Sequence, residues 1–211
     1  MAFIHVARRE LHCKIVYYGP GLGGKTTNLR QLFDHLPPAR RGELTCLDTV
    51  GERTLFFDLL PIELGRVRGL TTRIHLYTVP GQPRYNASRR IVLQGVDGVV
   101  FVADSDPRRF FANRHSLDNL RENLACQGRS RAAVPLVFQY NKRDLPGAVS
   151  REQLDRLLNG DGAPVQESVA QRGEGVRETL RTILGLTFSE LGAPVGRETR
   201  MSGTTDAARP Q

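Results

Sequence analysis

Residues Gly19-Pro20-Gly21-Leu22-Gly23-Gly24-Lys25-Thr26 constrain this chain more than any other stretch. They follow His12-Cys13-Lys14-Ile15-Val16-Tyr17-Tyr18, which reads as a strand. They lead into a helical pattern from Thr26 to about Leu36, stopped by Pro37-Pro38. A Gly-x-x-x-x-Gly-Lys-Thr turn between strand and helix aims successive backbone N–H groups at phosphate oxygens, beside the positive end of the helix dipole. In such a turn Lys25 reaches the terminal phosphates and the Thr26 hydroxyl binds Mg²⁺. The expected nucleotide contacts here are Gly19, Gly21, Leu22, Gly23, Gly24, Lys25, Thr26 and Thr27.

The remaining chain repeats the alternation of strand and helix. Arg73 to Val79 alternates as a strand and ends at Pro80-Gly81, while Gly98 to Ala103 is near-continuously apolar, as strands covered on both faces are. Asp106 and Pro107 open a helix whose Leu117, Leu120 and Leu124 share one face before Gly128. Val134 to Tyr140 is a further buried strand. Ser150-Arg151-Glu152-Gln153 has the form of a capping box, with Leu154, Leu157 and Leu158 inward and Gly160 beyond. Val165 to Val169 is a last strand, and Val176, Leu180, Ile183, Leu184, Phe188 and Leu191 mark the inner face of a final helix. The fold class is therefore α/β, a mostly parallel central sheet with helices on both faces. Between Arg40 and Gly69 only Leu44 to Leu47 and Thr54 to Leu60 look strand-like, which predicts a sheet edge plus a mobile loop. One domain over residues 1–191 is expected, followed over 192–211 by a polar, Gly- and Pro-containing tail of disordered character.

Asn141-Lys142-Arg143-Asp144 at the end of the Val134 strand carries the second chemical signal. A carboxylate at Asp144 accepts from both guanine N–H groups, whereas adenine would leave it unpaired, and unpaired polar groups reject wrong ligands strongly. The Lys142 stem can cover the base plane, and Asn141 can tie this loop to the phosphate loop. Pro80-Gly81-Gln82 closes the Arg73 strand.

Composition narrows the alternatives. Of 30 basic residues only Lys14, Lys25 and Lys142 are lysine, and the arginines behind the net charge of +8 are scattered rather than blocked. With 7% aromatics and no tryptophan, a dedicated nucleic-acid surface is not expected. Cys13, Cys46 and Cys126 lie far apart, which excludes a Cys-x-x-Cys metal site and a disulfide framework. The N-terminal order lacks the pattern of a signal peptide, no apolar run is long enough to span a bilayer, and Ala2 and the terminal Ala208-Arg209-Pro210-Gln211 fit no lipidation motif. A cytoplasmic protein without lipid anchor or stable membrane insertion is expected.

Taken together, Cys13 to Leu22, Glu52-Arg53-Thr54-Leu55-Phe56-Phe57-Asp58, Thr78-Val79-Pro80-Gly81-Gln82, Gly95 to Ser105 and Gln139 to Pro146 resemble the MglA family, bacterial Ras-like GTPases of gliding motility and cell polarity. The resemblance covers about residues 3 to 191. It implies a Ras-like P-loop GTPase fold, GTP/GDP and Mg²⁺ as ligands, and slow hydrolysis that an activating partner stimulates. It implies Thr54 as the switch threonine at Mg²⁺ and γ-phosphate, Arg53 as an arginine supplied in cis, and Gln82 as the water-positioning residue, with Lys25 the fourth catalytic group. Metal ligands would be Thr26 and Thr54. Thr78 and Gly81 occupy the place where Ras-like GTPases carry Asp-x-x-Gly, so a hydroxyl stands where a carboxylate holds the metal's water. Glu167-Ser168-Val169-Ala170-Gln171 resembles the Glu-x-Ser-Ala-Lys loop of the same proteins, placing Val169 and the Ala170 N–H at the guanine carbonyl. The implied partners are a Roadblock-type activator (MglB-like) and polarity or motility effectors, which would recruit the protein to a cell pole. The GDP and GTP forms in that family differ by a shift of the strand near Thr54 to Leu60. Two functions follow: a GTP-hydrolysing switch, or a nucleotide-bound scaffold with negligible hydrolysis, for which the missing aspartate leaves room. Asp144 disfavours a P-loop ATPase or kinase.

Overall fold

The computed structural model describes residues 2–48, 56–67, 69–129 and 133–190. The expected tail over 192–211, Leu191, and the site candidates Arg53 and Thr54 lie outside those residues.

The strands are β1 Phe3–His5, β2 Glu10–Tyr18, β3 Thr45–Asp48, β4 Phe56–Val67, β5 Leu70–Thr78, β6 Gly98–Asp104, β7 Leu136–Asn141 and β8 Val165–Glu167. The helices are α1 Lys25–His35, α2 Asn86–Leu93, α3 Phe110–Ala125, α4 Arg151–Leu158 and α5 Val176–Glu190. Among the described residues the strands form one sheet in the order β3-β4-β5-β2-β6-β7-β8, with β1 antiparallel to the start of β2. From β5 through β8 every neighbouring pair is parallel, while β3, β4 and β5 run antiparallel to one another. This is the Ras-like α/β architecture that the sequence predicts.

Strand alternation decides which helix covers which face. Ile15 and Tyr17 of β2 point to one side, joining Ile74, Leu76, Val100 and Val102 in a cluster that α1 and α5 cover with Leu29, Leu32, Leu180 and Ile183. Val16 and Tyr18 point to the other, joining Phe101, Phe138 and Tyr140 beneath Leu93, Leu117, Leu120 and Leu154 of α2, α3 and α4. Each such side chain withdrawn from water contributes ~1.5–3 kcal/mol before the entropy cost of ordering it. Central β6 is buried along its whole length, which is why its sequence is a continuous apolar run rather than an alternating one.

Several elements differ from the sequence reading. Asp106 does cap, but it accepts from the Arg108 N–H to open a 3₁₀ turn over Pro107–Arg109, and α3 proper begins at Phe110. The capping box at Ser150 and Gln153 forms as expected, and the inner-face leucines 117, 120, 124, 154 and 158 of α3 and α4 are buried, while Leu157, also expected inward, is half-buried. β8 ends at Glu167; Val169 is held instead by an isolated bridge to Glu174. The sheet edge is present as β3, but β4 is far longer than its sequence suggests, because Pro61 and a bulge at Gly65 interrupt a pattern that pairing with β5 sustains. Helix α2 has no clear sequence signal: its buried face includes Ser88 and Arg89.

The order of strands places the site. The chain leaves β2 toward β5 on one side and toward β6 on the other, and the carboxyl ends of strands at such a switch point open a crevice. Gly19 to Gly24 lies there.

Candidate nucleotide site

The phosphate loop is shaped by contacts that few residues tolerate. Gly24 has φ 101°, and a Cβ there would overlap Asn141 Nδ2. Gly81 lies so close to the loop that a Cβ would overlap the backbone at Gly21. Leu22 adopts φ 64° with its side chain 86% exposed, a left-handed backbone at a non-glycine position. No side chain caps α1, so its first N–H groups face the loop rather than a capping oxygen.

Lys25 is buried, and its Nζ donates to Gly19 O at 2.9 Å and Pro20 O at 2.7 Å. Burial, then the positive charge of Arg89, push its ammonium down to about 7; Asp58 pulls upward, and Arg109 adds to the depression. An anion in the cleft would restore the charge. Arg109 itself donates to Gly21 O at 2.6 Å, and its Nε is buried without a hydrogen-bond partner, 3.8 Å from Asp104.

Beside Lys25 the Thr26 hydroxyl donates to Asp58 Oδ2 at 2.6 Å, and the Thr78 hydroxyl donates to the same oxygen at 2.8 Å. The Asp58 N–H in turn donates to Thr78 Oγ1 at 2.9 Å. Thr26, Asp58 and Thr78 thus form an oxygen-only cluster, the donor type that Mg²⁺ takes together with substrate phosphates. Among the described residues no group of three or more His, Cys, Asp or Glu side chains could hold a metal ion alone. The oxygen donors of Thr26, Asp58 and Thr78 fit a Mg²⁺ that shares its shell with a nucleotide.

Gln82 is exposed at the cleft wall, on a loop braced from behind. The buried Arg89 guanidinium donates to Pro80 O at 3.1 Å, Gln82 O at 2.6 Å and Pro83 O at 3.0 Å, while its Nε donates to Asn119 Oδ1 on α3 at 2.8 Å. The whole cleft, about 1210 Å³, is bounded by the phosphate loop, Thr26, Thr27, Asp58, the Thr78–Pro83 loop and the start of α3.

On the far side of the loop Asn141 is buried, its Nδ2 donating to Gly23 O at 2.8 Å and its Oδ1 accepting from Ser168 Oγ at 3.0 Å and from Ala170 N at 2.9 Å. The Ala170 N–H, expected at a guanine carbonyl, donates to Asn141 Oδ1, and the Val169 N–H donates to Glu174 O. Lys142 takes φ 66° and its Nζ lies 2.6 Å from the buried Asp104 carboxylate, while Asp144 sits 3.7 Å from Arg172. Beneath, Asn28 and Gln139 exchange hydrogen bonds of 2.8 and 2.9 Å, and Gln139 also donates to Thr179 at 2.9 Å, linking α1, β7 and α5.

The structure thus gathers Gly19, Gly21, Leu22, Gly23, Gly24, Lys25, Thr26, Thr27, Thr78, Gly81 and Gln82 at one end, and Asn141, Lys142, Asp144, Val169 and Ala170 at the other. Asp58, Arg89, Asp104 and Arg109 escape sequence reasoning. The one legible hint was Gln139, a polar residue inside an otherwise apolar strand.

Comparison with known proteins agrees with this geometry. The sequence model of the ADP-ribosylation factor family matches residues 44–185. Over 191 residues the chain is 53% identical to the mutual gliding-motility protein MglA of Myxococcus xanthus (strain DK1622), covering 90% of this chain and 98% of that protein.

Proposed function

Because this chain belongs to the MglA family of small GTPases, we propose that it is a GTP-switched regulator of cell polarity or motility, reset by hydrolysis to GDP. The observation that carries the reading is the Asn141–Gly23 hydrogen bond of 2.8 Å, which joins the base-reading loop to the phosphate loop in one frame. A nucleotide that meets Lys25 with its phosphates would offer its base to Asp144, whose carboxylate suits the two N–H donors of guanine.

In hydrolysis a water attacks the γ-phosphorus, the bond to the β–γ bridging oxygen breaks, and GDP and phosphate separate. Thr26 and Thr54 would hold a Mg²⁺, which would supply positive charge against the phosphates. Lys25 moves its donors from the two loop carbonyls to phosphate oxygens. Gln82 orients the attacking water, and Arg53 supplies charge to the transition state, where an arginine in cis or in trans contributes ~10³–10⁵ in rate. Because Gln82 is exposed, we infer slow intrinsic turnover and acceleration by a Roadblock-type (MglB-like) partner that fixes the loop. Cytoplasmic residence with recruitment to a pole through protein partners fits the same reading; no described helix is long and apolar enough to cross a membrane.

The scaffold alternative rests on Thr78 standing where an aspartate is expected, and the Asp58 carboxylate 2.8 Å from Thr78 weakens it. Identification of the co-purifying nucleotide tests the binding half: GDP or GTP is expected, and ATP or ADP would overturn it. Single-turnover hydrolysis with and without a Roadblock-type dimer tests the other half, and identical slow rates would favour the scaffold.

A further inference from the structure

We propose that Asp58, on β4, supplies the carboxylate of the Mg²⁺ site that the sequence lacks at position 78. The inference rests on the reading of the protein as a GTPase and goes beyond it by giving a role to a residue to which the sequence analysis assigned none. A hydroxyl at Thr78 has the reach to touch a water but not the negative charge that holds a hydrated dication, so the charge must come from elsewhere. Among the described residues Asp58 is the only acidic side chain lining the phosphate cleft, which is otherwise bounded by Lys25, Arg30, Arg89 and Arg109.

The geometry of the sheet explains how the charge arrives. β4 and β5 are antiparallel neighbours with Leu59 opposite Tyr77, so Asp58 and Thr78 are the adjacent cross-strand neighbours. Moving the carboxylate one strand sideways in the same row leaves it over the same point of the cleft. Asp58 Oδ2 collects both hydroxyl protons, from Thr26 at 2.6 Å and from Thr78 at 2.8 Å. A Thr26 hydroxyl that donates to a carboxylate turns its lone pairs away from it, as a metal ligand must. Thr78 then acts as a positioning residue: it accepts from the Asp58 N–H at 2.9 Å and donates back to the carboxylate, fixing its rotamer. A mere staple between β4 and β5 would need only the hydrogen bonds, which a neutral amide can largely reproduce. A metal site needs the charge.

The test measures release of fluorescent GDP from the full chain, in excess Mg²⁺ and in EDTA, with a Mg²⁺ titration between. Wild type should release GDP more slowly with Mg²⁺. Asp58→Asn should raise the Mg²⁺ concentration for half-maximal slowing ~10–100-fold, the range for losing a group that orients a metal ligand. Its release in EDTA should stay within ~3-fold of wild type, since no phosphate contact is removed. Thr78→Asp added to Asp58→Asn should recover most of the Mg²⁺ dependence, because it returns the charge to β5. An Asp58→Asn titration that overlays wild type overturns the inference. If Asp58→Asn alone holds GDP too poorly to load, the double variant decides: restored Mg²⁺ slowing supports the assignment, and its absence overturns it. A wild-type protein that binds GDP with no Mg²⁺ effect would remove the metal site, whereas one that binds no guanine nucleotide would remove the GTPase reading itself.

Discussion

At the base end of the cleft Asn141 closes on Gly23, Ser168 and Ala170, and every polar atom of its side chain has a partner inside the protein. At the phosphate end Lys25 is equally buried but donates to two carbonyls of its own loop, and among the described residues it makes no ion pair. The first arrangement is closed by protein groups alone; the second holds a buried cation whose present partners are neutral carbonyls. A frame that is already satisfied fixes where the base sits at little reorganisation cost. Groups that must exchange partners convert the arrival or loss of a phosphate into a change of structure. In the proposed reading, recognition and switching are thereby given to opposite sides of the phosphate loop.

The largest expected effect separates the two ends by substitution. Lys25→Met should abolish measurable nucleotide binding yet leave the melting temperature of the nucleotide-free protein unchanged or higher, because it removes a buried charge lacking an anion. Asn141→Ala should lose both, since it strands three buried polar groups at ~1–3 kcal/mol each. Calorimetric melting of the two variants beside titration with GDP checks this, and parallel melting losses would erase the distinction.

Next in size are the groups that act on the reaction. Gln82→Ala and Arg53→Ala should each reduce partner-stimulated hydrolysis ~10²-fold or more with GDP affinity little altered. Arg89→Met should reduce it ~10-fold or more by releasing the Gln82 loop, and should add little on top of Gln82→Ala. A loss of GDP affinity matching the loss of rate would make these residues structural.

At the base end, Asp144→Asn should shift preference from guanine toward xanthine nucleotides by ~10–100-fold, the value of one charge-assisted pair. Competition of GDP and xanthosine diphosphate for the same site measures it, and an unchanged ratio would mean that Asp144 does not read the base.

The smallest effect is one of pH. Lys25 has its free-state value lowered to about 7, and bound phosphate holds it protonated. Below that value the free protein already carries the proton, so affinity is flat; above it, binding must take up a proton, and affinity falls by up to ~10-fold per pH unit. Calorimetry in buffers of different ionisation enthalpy should show proton uptake at pH ~8 and none at pH ~6. No uptake at the higher pH would mean that Lys25 stays charged without ligand.

Much of this protein is legible in its amino-acid order, because local signals carry it. The phosphate loop, the Asn-Lys-x-Asp turn, the buried β6 run and the capping box at Ser150 depend on residues adjacent in sequence, and the structure places each as read. What tertiary structure alone decided are contacts that no local spacing announces. Asp58 looks like an ordinary strand carboxylate until β4 pairs with β5 and sets it against Thr78 and Thr26. Arg89 looks like one of many arginines until α2 folds its guanidinium under the carbonyls of the Gln82 loop. Ala170 looks like one of many loop residues until its N–H meets the Asn141 side chain, 29 positions away. Sequence spacing specifies which groups a turn or a helix end will present. Which carboxylate answers which hydroxyl is set by strand register, and register is a property of the folded sheet, specified once a face is buried.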